Sequence, residues 1–293
     1  MSHTHTGDFP IGFRRGGSPW QRDLAVLAKF AKDHHFVGID TGPEPINELR
    51  KIKDAGLTIG TVDLKDWSML ASPDAGKRKD AAARNAELVM QCATLGVKNF
   101  FVVVIPEDHA RPRAENFRFA IDGYGQLAQA INSTNSRLAI EGWPGGAPHY
   151  SSLACTTADY RAFLKDLPTN VGINYDPSHL IRVGIDHVRF LAEFAPRVYH
   201  VHGKDTEVME DELYEHGNLQ PATFAKGHGW GGHHWRYTIP GHGCAHWGRI
   251  FSLLKAAHYQ GMVSVELEDE HFNGTEEGEK RGLICSREYL RSV

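Results

Sequence analysis

Asp176 and His179 stand three apart in the run NYDPSHLIRVG (174–184), with Pro177 between them. Further on, VYHVHGKD (198–205) carries His200 and His202 two apart, followed by Lys204 and Asp205. Both groups come where an apolar stretch stops. The same holds for Glu141 in RLAIEG (137–142) and for Glu266 in MVSVELE (262–268). Side chains alternate along a strand. Glu141, Asp176, His202 and Glu266 can therefore share one side while Ile140, Tyr175, Val201 and Val265 take the other. Three ionised carboxylates crowded in a partly dry cavity repel one another, and a divalent cation removes that conflict. Oxygen-rich ligands with one imidazole nitrogen suit Mn²⁺, Mg²⁺ or Co²⁺ better than a structural zinc site, which favours sulfur and nitrogen. Such an ion keeps positions open for water or substrate oxygens. The count of 18 histidines also directs the search to metal chemistry.

Eight strand candidates must position these groups: FPIGF (9–13), FVGID (36–40), LTIGTVDL (57–64), VKNFFVVV (97–104), RLAIEG (137–142), VGINYD (171–176), VYHVHG (198–203) and MVSVELE (262–268). They are rich in Val, Ile and Phe, as strands buried on both faces should be. Helical spacing fills the gaps: Leu24, Leu27, Ala28 and Ala31; then Ala81, Leu88, Cys92 and Leu95 with Gly96 as a stop. Thr156 and Asp159 read as a capping box for a helix that Pro168 ends. Ile185, Val188 and Ala192 form one further apolar stripe, and Trp247, Ile250, Phe251, Leu254 and Ala257 another. Strand–helix units repeated eight times predict parallel strands with right-handed crossovers, hence a single-domain (β/α)8 TIM barrel over 1–293. An open doubly wound sheet is the alternative. It would want a phosphate-cradling glycine fingerprint, and no strand candidate is followed by one. In a barrel, chemistry belongs at the C-terminal strand ends, where the fifth to eighth strands finish in Glu141, Asp176, His202 and Glu266.

One connection breaks the pattern. Residues 207–246, after the seventh strand, far exceed the usual loop of such units and are expected to form an inserted lid-like loop. They hold His216, His228, His233, His234, His242 and His246. No pair has a convincing i, i+4 ligand spacing, so a polar, aromatic lid is preferred to a second metal site. Composition limits partners and compartment. The formal charge of −4 does not suit a protein living on phosphate backbones, so no nucleic-acid partner is expected. The longest apolar run, FFVVVI (100–105), is too short to cross a bilayer, and no membrane partner is expected. The first ten residues lack an apolar signal core, and Cys92, Cys155, Cys244 and Cys285 show no CxxC spacing. Reduced thiols in a cytoplasmic protein are the expectation.

The runs NYDPSHL, YHVHGKD, IEGWPGG and YQGMVSVELED resemble the sugar phosphate isomerase/epimerase family with the xylose-isomerase-like TIM barrel, best from Glu141 onward. The resemblance implies a metal held by Glu141, Asp176, His202 and Glu266, with His202 preferred to His200 because the His-x-Lys-Asp ending matches. It implies one divalent ion, with Mn²⁺ the first choice and Mg²⁺, Co²⁺ or Zn²⁺ the alternatives. It also implies a small sugar or keto-sugar substrate, and it leaves a homo-oligomer open. Glu141 and Glu266 would exchange a proton on opposite faces of the carbon beside a carbonyl, through an enediolate, giving an isomerase or epimerase. The same intermediate can expel a β-substituent, giving a dehydratase or lyase. His179, Lys204, Trp143 and His242 are the expected substrate-binding residues.

Plainer readings stand beside these. Asp176 is a good helix cap, and His179 could then be a solvated neighbour. His200 reads as a satisfied core histidine or a support for the site; Glu268 and Asp269 could extend the site, but read rather as helix caps or solvated groups. Trp143 could pack as readily as stack on sugar. An apurinic-site endonuclease would need further histidines, yet GIDTG (38–42) and TVDLKD (61–66) have none close by. A non-enzymatic sugar-binding barrel would not need two glutamates so placed.

Overall fold

The computed structural model describes residues 2–146, 150–219 and 222–293. Gln220 and Pro221 of the insertion lie outside the described residues. Barrel strands β1 (Ile11–Arg14), β2 (Gly38–Thr41), β3 (Thr58–Asp63), β4 (Asn99–Val103), β5 (Arg137–Glu141), β6 (Val171–Tyr175) and β7 (Val198–Gly203) pair in sequence order. After an intervening hairpin, β8 (Asp205–Val208) and β9 (Trp235–Thr238), strand β10 (Val263–Val265) closes the barrel between β7 and β1. Every barrel pairing is parallel. The closure excludes an open sheet. All eight expected strands are present, several of them shorter. The first begins at Ile11 because Phe9 sits below it, edge-on to Phe251 and Tyr259.

Helices on the outside are started by their caps. Asp23 accepts from two backbone amides ahead of Leu24–Asp33, and Asp74 does so ahead of Ala75–Ala93. Thr156 accepts from the Asp159 amide at the start of Thr157–Asp166. Gly96 follows the Ala75–Ala93 helix with φ of +78°, a conformation suited to glycine. One stripe is corrected. Asp186 caps a helix of His187–Phe194, so Ile185 lies outside it. The buried face is His187, Phe190, Leu191 and Phe194, and Ala192 is exposed. Ile140, Tyr175, Val201 and Val265 join the apolar layer between barrel and helices, which turns their strand neighbours toward the lumen.

The insertion is more ordered than a loop. It opens on β8 at Asp205, ahead of the expected boundary, and contains the helix Glu210–His216 and the antiparallel strand β9. Two buried aspartates staple it. Asp205 accepts from the amides of Thr206, Gly241 and Ala245 and from Trp247 Nε1. Asp269 accepts from Arg236, Thr238 Oγ1, and the Ile239 and His271 amides. Asp269 therefore caps no helix; Thr275 caps Glu276–Ser292.

Candidate active site

Four strand ends deliver four side chains to one spot at the C-terminal mouth. One ligand atom from each of Glu141, Asp176, His202 and Glu266 lies within 4.8 Å of the other three, and all four residues are deeply inset. Register does this. Glu141 ends β5 opposite Asn174 of β6, whose amide Nδ2 donates to Glu141 Oε2 at 2.6 Å. His202 of β7 lies opposite Ser264 of β10, two residues before Glu266. His202 Nδ1 is 2.7 Å from Glu141 Oε2 and 3.4 Å from Glu266 Oε2. Asp176 does cap the Pro177–Arg182 helix, through Oδ1 to the Ser178 amide at 2.8 Å. Its other oxygen, Oδ2, points into the cluster with no hydrogen bond in line. The cap and site readings of Asp176 are thus compatible. The solvated reading of His179 is not, because its ring is buried with Nε2 3.2 Å from Glu141 and 3.3 Å from Asp176.

Lys204 is buried among these acids. Its Nζ lies 2.5 Å from Glu266, 2.9 Å from Glu268 and 3.2 Å from Asp176. Glu268 is therefore part of the site and neither a cap nor a solvated group. Burial opposes the lysine charge, but these three carboxylates outweigh it and hold its pKa well above the ordinary value. Burial raises the Glu268 carboxyl against the pull of Lys204. For Glu141, burial and Glu266 act upward, yet His202 prevails and leaves it below the carboxylate range. Glu266 is likewise low, since Lys204, His202 and Arg14 overcome burial. His202 is held high by Glu266, Glu141 and Asp40 against its burial.

Several residues escaped the sequence reading. Arg14 ends β1, forms a two-pronged pair with Asp63 of β3 at 3.0 and 2.6 Å, and reaches Glu266 at 3.3 Å. Reading strand ends one to four as the later ones were read would have found both. Asp40 of β2 lies beneath the cluster, 2.9 Å from His200 Nε2 and 3.5 Å from His202 Nε2. His200 is satisfied through Nε2 alone: its Nδ1 is buried without a hydrogen-bond partner among the described residues, and Asp40, His200 and His202 form a second group whose ligand atoms lie within 4.8 Å of one another. Gly60 permits this packing, because a Cβ there would sit 2.4 Å from Asp40 Oδ1 and 3.1 Å from His200 Cε1. The insertion contributes Tyr237, whose hydroxyl is 2.7 Å from both His179 Nδ1 and Arg182 NH1. Lys204 Nζ stands 4.5 Å over the same ring. Of the remaining expected residues, Trp143 is half-buried in the loop after β5. His242 is exposed, its ring against Phe272.

The donor set fits a divalent cation. Among the described residues, the contact network joins six carboxylates, Asp40, Asp63, Glu141, Asp176, Glu266 and Glu268, to two permanent cations, Arg14 and Lys204. Asp176 Oδ2 and His202 Nδ1 are buried with no hydrogen bond in line, although charged neighbours crowd them. That is the geometry of lone pairs converging on a common centre.

Comparison with known proteins places this arrangement. An inosose dehydratase of Halalkalibacterium halodurans is 30% identical over 280 residues, 90% of this chain and 87% of that protein. Alignments with three other curated relatives span only 31% to 48% of those proteins' length. Among solved structures, the 3-keto-D-glucoside 4-epimerase of E. coli superposes with a TM-score of 0.68 at 17% identity, covering 95% of this chain and 98% of that one. The mannonate dehydratase of Streptococcus suis gives 0.71 at 10% identity, covering 99% and 93%. At such identities the likeness shows the fold alone. The family model described as xylose isomerase-like TIM barrel matches residues 25–292, and the chain belongs to that family.

Proposed function

We propose that the protein is a divalent-metal-dependent enzyme that removes a proton from the carbon beside the carbonyl of a keto-sugar or related keto-polyol. The observation that carries this is the convergence of Glu141, Asp176, His202 and Glu266 ligand atoms within 4.8 Å at the barrel mouth. These four residues would hold the ion, with Mn²⁺ the first choice on donor type and Mg²⁺, Co²⁺ or Zn²⁺ the alternatives. When bound, the ion supplies Lewis-acid polarisation of the substrate carbonyl. Glu141 and Glu266, on β5 and just past β10, approach from different staves, so one can take the proton and the other return one. Both are held ionised by their neighbours, which suits the one that takes the proton; the one that returns a proton must first receive it from solvent or a substrate hydroxyl. Lys204 sits beside Glu266 and keeps positive charge where negative charge develops. Trp143 and His242 remain proposed substrate contacts.

Three fates follow proton removal: return to the other face of the same carbon, which is epimerisation, return to the neighbouring carbon, which is isomerisation, or loss of a β-hydroxyl, which is dehydration. The match to an inosose dehydratase over 90% of this chain favours dehydration. The test is a panel of keto-sugars and keto-cyclitols in D₂O with each of the four metals. Mass spectrometry distinguishes loss of water from deuterium uptake without it. Glu266→Gln should abolish either signal while leaving the fold intact, since the residue lies just past a strand and outside the packed layer. Silence of the wild-type protein across the panel would instead support a sugar-binding barrel.

A further inference from the structure

We propose that Tyr237, a residue of the insertion, fixes His179 as the neutral tautomer with its proton on Nε2, so that His179 presents a permanent hydrogen-bond donor to a substrate oxygen. This rests on the reading of the cluster as a keto-polyol site. The hydrogen-bond inventory carries it. Arg182 NH1 is 2.7 Å from the Tyr237 hydroxyl, and a guanidinium can only donate. The phenol oxygen is therefore an acceptor toward Arg182, and its own proton needs a separate acceptor. His179 Nδ1, also at 2.7 Å, is the acceptor in reach. A proton on Nδ1 would give the phenol oxygen two donors and strand its hydroxyl hydrogen in a buried site, which is costly. Nδ1 thus carries the lone pair and Nε2 the hydrogen.

Nε2 faces Glu141 Oε1 at 3.2 Å and Asp176 Oδ2 at 3.3 Å, yet neither lies in line with the ring N–H. A protonated Nε2 has no lone pair for a cation, so His179 stands beside the ligand group without joining it. Its hydrogen is left to point at substrate. The support is rigid on every side. Arg182 is held by the Gly145 carbonyl at 3.0 Å and stacks 4.1 Å over Trp235. The residues after Tyr237 are clamped by Asp269 through Thr238 and Ile239. Tyr237 is a positioning residue acting through His179, and the insertion completes the site from above.

The test uses the full-length protein labelled with ¹⁵N at histidine and loaded with Mg²⁺, which is diamagnetic. Two-bond ¹H–¹⁵N correlations report the tautomer of each imidazole, and His179→Gln identifies the resonance. The wild type should show His179 protonated on Nε2 alone. Tyr237→Phe keeps the ring under Lys204 and should mix the tautomers. It should lower kcat about ten-fold, the effect of one lost hydrogen bond, with KM changed by less than about three-fold. Arg182→Met, which leaves the phenol free to turn, should also mix the tautomers. An imidazolium or an Nδ1–H form in the wild type overturns the proposal, as does an unchanged tautomer in Tyr237→Phe. If the wild type turns over no keto-polyol, the functional reading fails while the NMR result still decides the tautomer.

Discussion

Asp269 tests how the insertion is held. The side chain is fully buried and accepts four hydrogen bonds: Oδ1 from Arg236 NH1 at 3.0 Å and the His271 amide at 2.9 Å, Oδ2 from Thr238 Oγ1 at 2.6 Å and the Ile239 amide at 3.1 Å. Asp269→Asn keeps the shape but turns one oxygen into a donor. With the amide nitrogen on the Oδ1 side, Arg236 and the His271 amide both face a donor; on the Oδ2 side, Thr238 Oγ1 can turn to accept and the Ile239 amide alone faces one. In the cheaper orientation, one lost hydrogen bond at about 0.5–1.5 kcal/mol, with the added cost of losing the carboxylate charge beside a buried guanidinium, gives about 1–3 kcal/mol. Arg236 keeps its pair with Glu207 at 2.7 Å, which holds the value below that for a wholly orphaned charge. Urea unfolding monitored by tryptophan fluorescence should show this as a lower midpoint. Hydrogen exchange should show β9 losing protection before the barrel strands do, and turnover should fall because Tyr237 lies on β9. A variant within about 0.5 kcal/mol of wild type, below the loss of even one hydrogen bond, with β9 protection intact, would refute the clamp.

Three further outcomes are expected. Burial, and then His246, push the His187 imidazole down to about 4 from its ordinary 6.5, and its Nε2 accepts from the His246 amide. Stability from the neutral ring is therefore complete above about 6.5 and is lost as pH falls toward 4, by about 1–2 kcal/mol after allowing for screening. His187→Gln should flatten the change in urea midpoint between pH 7 and pH 5, and an equal drop in both proteins counts against this. Gly60→Ala should cost about 1–3 kcal/mol through overpacking against Asp40 and Met262, read as a lower thermal midpoint. Removing bound metal with a chelator should lower the thermal midpoint, and Mn²⁺ at about a hundred times its Kd should restore about 2.7 kcal/mol; no shift would argue against a folded-state metal site.

The site was legible in part because a barrel turns tertiary convergence into a rule about strand ends. Glu141, Asp176, His202 and Glu266 each follow an apolar run at the same parity, and closure alone brings such positions together. Arg14, Asp40 and Asp63 obey the same rule on β1, β2 and β3, and lacked only a partner in sequence to draw notice. Glu268 looked like a surface group, since nothing local shows that Lys204 reaches across from β7. The misphased stripe of the His187–Phe194 helix came from counting Ile185 as helical, when Asp186 starts the helix after it.

By itself the sequence determined the barrel, its strand order and which polar side chains end its later strands, because hydrophobic periodicity and strand-end polarity are local properties that a closed parallel sheet converts directly into place. Only the tertiary structure decided the hairpin, the role of Asp269 and the meeting of Tyr237 with His179. These contacts join residues distant in the chain, 58 apart for Tyr237 and His179, across an insertion whose length carries no register, so no periodicity in the chain encodes them.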